Sequence, residues 1–192
     1  MSNSPSYWPL HQQVAAIASG DLSARDLVLA YTERLEAYDS QLATHVTLSN
    51  SALEEAAAID KALARGEKLG PLAGACISVK DNYLTHNMPT RAGTDVAEIS
   101  FPETDSHVVA KLRKAGAIIL GKTRMHEFAW GNITPPTRNP WNTQCVPGGS
   151  SDGKLSVGHR HCRFSAHSCH SMRHCGAQAY LRISWSNGDC SA

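Results

Sequence analysis

The sequence lacks any apolar run of the roughly 20 residues that a membrane-spanning helix requires. It also lacks a secretory leader, because the N-terminus MSNSPSYWPLHQQ has no basic start followed by an apolar stretch. A formal net charge of +1 gives no argument for nucleic acid or an anionic membrane as a partner. We therefore expect a cytoplasmic globular protein, and 192 residues suffice for one ordinary domain or a large domain cut short.

Branched aliphatic residues are scarce after residue 151, where Leu155, Val157, Leu181 and Ile183 follow neither helical nor strand spacing. The same segment is rich in histidine and cysteine, but it contains no C-x2-C pair of the kind that structural zinc sites use. Too little apolar surface is available there to offset the entropy of ordering the chain. We expect residues 1–151 to form one partial domain and residues 152–192 to be a poorly ordered tail.

Apolar spacing and turn residues predict an α/β domain in the first part of the chain. Two helices are expected within residues 10–38, separated at Gly20, and the second begins behind Ser23 with Asp26 as its capping-box partner. Further helices are expected over 51–66 and 105–116, and strands over 45–49, 76–83 and 117–120. The second helix should present an apolar face made by Leu27, Leu29, Ala30, Leu35 and Tyr38.

Two stretches match the consensus sequences of known functional motifs. Residues 116–123, GAIILGKT, match a phosphate-binding loop, but such a loop needs free backbone N–H groups between its glycines. The predicted strand occupies those positions, so we reject a nucleotide site. Residues 149–153 match the G-x-S-x-G nucleophile elbow with Ser151 as the nucleophile. The polar stretch before it contains Pro147 and is a poor strand, so an elbow is not favoured.

Lys80 is the candidate base. It ends the apolar stretch CISVK, and burial at such a place lowers the pKa of a lysine. A neutral amine beside a serine hydroxyl could relay protons, and PGGSS at residues 147–151 offers a hydroxyl on a glycine-rich turn. The alternative is an ordinary surface lysine at the end of a strand.

Several blocks, in this order, resemble the amidase signature hydrolases over most of residues 10–151: GPLAGACISVKDN (70–82), TRAGT (90–94), TDSHVVAKLRKAGAIILGKTRMHEFAWG (104–131) and NPWNTQCVPGGSS (139–151). The resemblance implies an α/β fold, the N-terminal part of the amidase signature fold, with a mixed β-sheet covered by helices. It implies Lys80 as general base and Ser150 as the bridging serine of a Ser–Ser–Lys triad. It also implies that Ala129 and Gly131 line the approach for substrate.

The function implied by the resemblance is hydrolysis of a small-molecule carboxylic amide to an acid and ammonia. It requires no cofactor, no metal, no nucleic acid and no membrane, and a homodimer is the assembly to test. The alternatives are a glutaminase-type subunit of a tRNA-dependent amidotransferase, or a non-catalytic fragment or metal-binding module. After Ser151 the resemblance ends, because no second GGS turn follows to supply a nucleophile. We expect a frameshift or truncation at this point and an inactive chain.

Overall fold

A computed structural model of the chain describes residues 4–95, 100–131 and 133–148. The four predicted helices and three predicted strands are all present, with changed ends. The strand predicted to end at residue 83 ends at Lys80, and the strand predicted to end at residue 120 continues to Thr123. The elements are α1 (Leu10–Ser19), α2 (Ala24–Leu42), β1 (His45–Leu48), α3 (Ala52–Ala64), β2 (Cys76–Lys80), α4 (His107–Lys114) and β3 (Ile118–Thr123), with 3-10 turns at Pro5–Tyr7 and Glu127–Ala129.

The three strands form one mixed sheet in the order β1-β3-β2. The central strand β3 pairs in parallel with β2 and antiparallel with β1, which confirms the mixed sheet. Gly121, Lys122 and Thr123 lie inside β3, so the prediction that a strand occupies the phosphate-loop motif is confirmed. Against β2, the register moves from Ile77–Ile119 to Ser78–Gly121, which leaves one extra residue on β3.

Helices pack on both faces of this sheet. On one face, α1, α2 and α3 bury a cluster that includes Ile17, Leu27 and Ile118. On the other, Val109 of α4 packs with Ile119. Burial on both faces explains why the first half of β3, residues 118–120, is continuously apolar. Within the described part of the chain, no helix is long and apolar enough to cross a membrane.

The apolar face of α2 differs from the prediction at one end. Leu27 and Leu35 are buried, but Tyr38 is 49% exposed, so placing it on the buried face was wrong. The buried positions on α2 are Ala24, Leu27, Val28, Tyr31 and Leu35, whose spacing of three and four residues is that of one helical face. Tyr38 continues this spacing, but it lies one turn before the helix ends and stays exposed.

The N-terminus of α2 is capped as the sequence predicts, with an addition from α3. The Ser23 hydroxyl oxygen accepts a hydrogen bond from the Asp26 N–H at 3.2 Å. The carboxylate of Asp60 accepts from the Ala24 N–H at 2.8 Å and from the Ser23 hydroxyl at 2.9 Å. By contrast, Ser106 occupies the N-cap position of α4 without a side-chain capping bond. The Asp60 contact therefore fixes the angle between α2 and α3 as well as the helix end.

Candidate functional site

Lys80 is the last residue of β2 and is in register with Thr123 of β3. Strand alternation places its side chain on the same face of β2 as Cys76, which packs in the cluster with α1 and α2. The residue is half-buried. The prediction that Lys80 ends an apolar strand is confirmed, and its role as a base stays a prediction.

The other half of the expected site falls outside the described residues. Ser150 and Ser151 lie there, together with residues 152–192 and all the histidines and cysteines of the tail. The pairing of Lys80 with Ser150 and the nature of the tail therefore stay predictions. Among residues 4–95, 100–131 and 133–148, no group of three His, Cys, Asp or Glu side chains is arranged to hold a metal ion.

A fully buried ion pair lies immediately beyond Lys80. The Nζ of Lys122 donates to the Tyr83 carbonyl oxygen at 2.8 Å and to the Thr90 hydroxyl at 2.7 Å, and it lies 3.4 Å from Oδ1 of Asp81. The side chains of Lys122 and Asp81 are 0% and 1% exposed. Three oxygens thus surround an ammonium group that has three protons to donate.

Burial is the largest influence on the ionisation of this pair. It raises the pKa of Asp81 and lowers the pKa of Lys122, because a charge is less stable away from water. Each charge opposes the shift in the other group, and the backbone N–H of Arg91 also favours the Asp81 carboxylate. Each partner therefore favours the charged form of the other.

Asp81 also ties the end of β2 to the loop at residues 90–94. Its Oδ2 accepts from the Arg91 N–H at 3.2 Å, and its carbonyl oxygen accepts from the Ala92 N–H at 3.3 Å. The Ala92 carbonyl oxygen in turn accepts from the Phe128 N–H at 2.8 Å. Three hydrogen bonds thus connect the strand that carries Lys80 to the turn at Glu127–Ala129.

This turn contains one of the residues expected to line the substrate approach. Phe128 and Ala129 both adopt positive φ angles, 45° and 63°, a conformation uncommon for residues other than glycine. Ala129 is exposed, and Trp130 beside it is 91% exposed. Gly131 packs so closely on His126 that an added Cβ would collide with the imidazole ring. The structure therefore holds exposed Ala129 and half-buried Gly131 on one tightly bent segment, and their contact with substrate stays a prediction.

A second network of polar side chains crosses the sheet on the face that carries Lys80. The Nε2 of His45 lies 2.9 Å from the hydroxyl of Ser78, and its Nδ1 lies 2.8 Å from the hydroxyl of Thr44. The Thr44 hydroxyl donates to Oδ1 of Asp39 in a short hydrogen bond. Because the Thr44 hydroxyl donates its proton to the carboxylate, its oxygen accepts from Nδ1–H of His45. The other ring nitrogen, Nε2, makes the contact with Ser78.

Asp39, near the end of α2, is the last member of this network. Burial, the largest influence, raises the pKa of its carboxyl group, but the nearby imidazole of His45 and the hydrogen bonds from Thr44 outweigh burial and lower the pKa from 3.8 to about 2. Its Oδ1 lies 3.8 Å from Nδ1 of His45, longer than a hydrogen bond, so the Thr44 hydroxyl bridges the two groups. Asp39 also accepts from the Thr44 N–H at 2.7 Å.

Sequence reasoning missed these two networks for different reasons. Lys122 was missed because the predicted strand ended at residue 120, so its burial inside β3 was not expected. His45, Ser78 and Asp39 had no local signal, because they meet only when β1 and β2 align on either side of β3.

The chain matches the family model Amidase over residues 26–162. It is 46% identical over 149 residues to the A subunit of the glutamyl-tRNA(Gln) amidotransferase of Thermobifida fusca (strain YX), covering 74% of this chain and 30% of that protein. It is 38% identical over 156 residues to the chloroplastic/mitochondrial form of the same A subunit from Arabidopsis thaliana, covering 78% and 29%. The chain therefore spans about 30% of the length of these curated relatives.

Solved structures give the same relationship. The native peptide amidase from Stenotrophomonas maltophilia superposes with a TM-score of 0.68 at 34% identity, covering 74% of this chain and 32% of that one. A bacterial aryl acylamidase of the amidase signature family superposes with a TM-score of 0.71 at 28% identity, covering 80% and 34%. These superpositions confirm the expected fold class.

Proposed function

The chain belongs to the amidase family, and from this premise we propose that its lineage cleaves the C–N bond of a small carboxylic amide to give an acid and ammonia. The match over residues 26–162 carries the proposal, because that range contains both Lys80 and Ser150. The half-buried place of Lys80 at the end of β2 supports its role as a base.

In this mechanism the neutral amine of Lys80 takes a proton from the Ser150 hydroxyl as Ser150 takes one from a nucleophilic serine. The nucleophile attacks the amide carbonyl carbon, and the proton returns along the same path to the departing nitrogen. Water then releases the acid from the acyl-enzyme. We identify no nucleophilic serine in this chain, and so we propose that the 192-residue chain is inactive.

Ammonia release from simple aliphatic and aryl amides tests this proposal on the full chain, with Lys80→Ala as the matched variant. We expect no release above background from either protein. Hydrolysis by the parent that Lys80→Ala abolishes would contradict the inactivity and support the lysine as base. Hydrolysis that Lys80→Ala leaves unchanged would contradict both the inactivity of the chain and the role of Lys80 as the base.

The encoding DNA gives an independent test. We propose a frameshift after Ser151, so one of the other two reading frames beyond codon 151 should encode a second glycine-rich serine turn. If neither frame does, the frameshift is wrong. If one does, the restored protein should hydrolyse amides, and Lys80→Ala and Ser150→Ala should each reduce kcat by a factor on the order of 100 or more.

A second candidate is a glutaminase-type subunit of a tRNA-dependent amidotransferase. It is favoured because the curated relatives from Thermobifida fusca and Arabidopsis thaliana are both named as components of a glutamyl-tRNA(Gln) amidotransferase. A restored protein that releases ammonia from glutamine, but not from aryl amides, would support this candidate over a general amidase. Tight stoichiometric zinc binding by the 192-residue chain, lost when the tail cysteines are replaced, would instead support a metal-binding module.

A further inference from the structure

The buried pair of Lys122 and Asp81 is not explained by stability alone. Taking two charges out of water costs several kcal/mol for each ion, and replacing such a pair with apolar residues of similar size is often neutral or stabilising. The best-attested benefit of a buried pair is that it selects one arrangement of the groups around it. The question is therefore which parts of the molecule this pair holds in place.

The partners of the pair lie on three segments. Lys122 belongs to the central strand β3, and Asp81 directly follows Lys80 at the end of β2. Thr90, which accepts from Lys122, begins the loop at residues 90–94. One ammonium group thus holds the end of β2 and the start of this loop against the centre of the sheet.

The loop at residues 90–94 passes this constraint to the exposed turn. The Ala92 carbonyl oxygen accepts from the Phe128 N–H at 2.8 Å. Next to it, Gly93 lies so close to the segment before the turn that an added Cβ would be 2.6 Å from the Met125 carbonyl oxygen. A shift of the loop would therefore move the backbone at Phe128, which already has a constrained positive φ angle.

We propose that Lys122 and Asp81 are positioning residues that fix the turn at Glu127–Ala129 relative to Lys80. The proposal rests on the proposed function for the roles of its two ends, namely Lys80 as base and the turn as the substrate approach. The connection between them rests only on the contacts above. It can therefore be tested without catalysis, so that failure of the connection and failure of the proposed function are distinguishable.

Amide hydrogen exchange, resolved by residue with NMR on the full chain, tests the connection at the turn. Lys122→Met removes the ammonium group and leaves Asp81 buried without its cation. We expect the Ala92 and Phe128 amides to exchange about tenfold faster or more, with the Tyr31 amide of α2 unchanged, because the opening is local. Arg113→Met is the control. Arg113 lies on α4, and its replacement removes half-buried ion pairs with Glu55 and Asp105 that do not include Lys122 or Asp81.

Amine acetylation followed by mass spectrometry tests the connection at Lys80. In Lys122→Met, acetylation of half-buried Lys80 should rise about threefold or more relative to exposed Lys61, since the end of β2 loses an anchor. Adding Asp81→Asn to Lys122→Met should restore both readouts only in part, because the contacts of the ammonium group with Tyr83 and Thr90 stay lost. The second change removes the uncompensated charge and keeps an oxygen that can accept from the Arg91 N–H. If Lys122→Met does not fold, Thr90→Val should give the same pattern more weakly.

Three results would overturn the proposal. The first is unchanged exchange at Phe128 in a folded Lys122→Met variant. The second is an acceleration spread equally to the Tyr31 amide, which a general loss of stability would produce. The third is the same local change in Arg113→Met. Loss of amide hydrolysis in a restored protein with Lys80→Ala bears on the proposed function and leaves these readouts unaffected.

Discussion

The carboxylate of Asp39 should make the stability of the domain depend on pH in the acid range. The pKa of its carboxyl group is about 2 in the folded chain, against 3.8 for an ordinary aspartate. A depressed pKa means that the ionised group stabilises the fold above pH 3.8. This stabilisation is lost as the pH falls from about 4 through about 2.

The magnitude follows from the shift. At about 1.4 kcal/mol for each unit, a fall from 3.8 to about 2 corresponds to at most ~2.5 kcal/mol. The side chain of Asp39 is 30% exposed, so solvent screening reduces this value, and we expect ~1 kcal/mol. Asp39→Asn isolates the charge, because the amide oxygen of asparagine can still accept from the Thr44 N–H.

Urea unfolding of the parent and of Asp39→Asn, at pH 7 and again near pH 2.5, measures this contribution. The variant should be less stable by ~1 kcal/mol at pH 7, and most of that difference should vanish at the lower pH. Glu36→Gln, an exposed position on the same helix, makes the same charge change away from this network. The reasoning fails if the Asp39→Asn difference is equal at both pH values, or if Glu36→Gln reproduces it.

Three further predictions concern the framework that holds the site, each measured by urea unfolding followed by far-UV circular dichroism. Ile118→Ala, at a side chain that is 0% exposed, should lower the free energy of unfolding by about 2–5 kcal/mol, and Ile118→Val by about 0.5–1.5; equal losses would argue against close packing there. Gly121→Ala should destabilise the chain by about 1–3 kcal/mol, since the new Cβ would collide with the Thr47 carbonyl oxygen; a neutral effect would mean that β1 can move away. Asp60→Asn should cost about 1 kcal/mol through the weakened cap of α2, and the loss should shrink in high salt; a loss independent of salt would assign it to packing.

The sequence predicted the elements well because each depends on neighbours along the chain. The N-cap at Ser23, the glycine that ends α1 at Gly20 and the apolar run of β3 are all local signals. Errors arose where a second element decides the outcome. Tyr38 continues the apolar spacing of α2 yet is exposed, since burial depends on what packs against the helix. Ser106 occupies the N-cap position of α4, but its hydroxyl makes no capping bond.

The candidate site was predictable to a smaller extent. Lys80 could be placed at a strand end from the residues around it, and its proposed chemistry came from the resemblance of the neighbouring blocks. The pairing of Asp81 with Lys122 joins residues 41 positions apart in the numbering, and the predicted strand ended before Lys122. The hydrogen-bond network from Asp39 to Ser78 depends on the strand order, which no local pattern encodes.

The central position of β3 also sets an order of events during synthesis. The three helices α1, α2 and α3 and the strands β1 and β2 are all translated before β3, and both strands need β3 as their partner. About 70 residues separate the end of β1 from the start of β3, which at 5–20 residues per second is a wait of roughly 4–14 s. Throughout that interval the apolar faces of Leu27 and Tyr31 lack Ile118, the residue that completes their cluster. The nascent chain is therefore a candidate client for chaperones that bind exposed apolar surface, until β3 has left the ribosome and can pair.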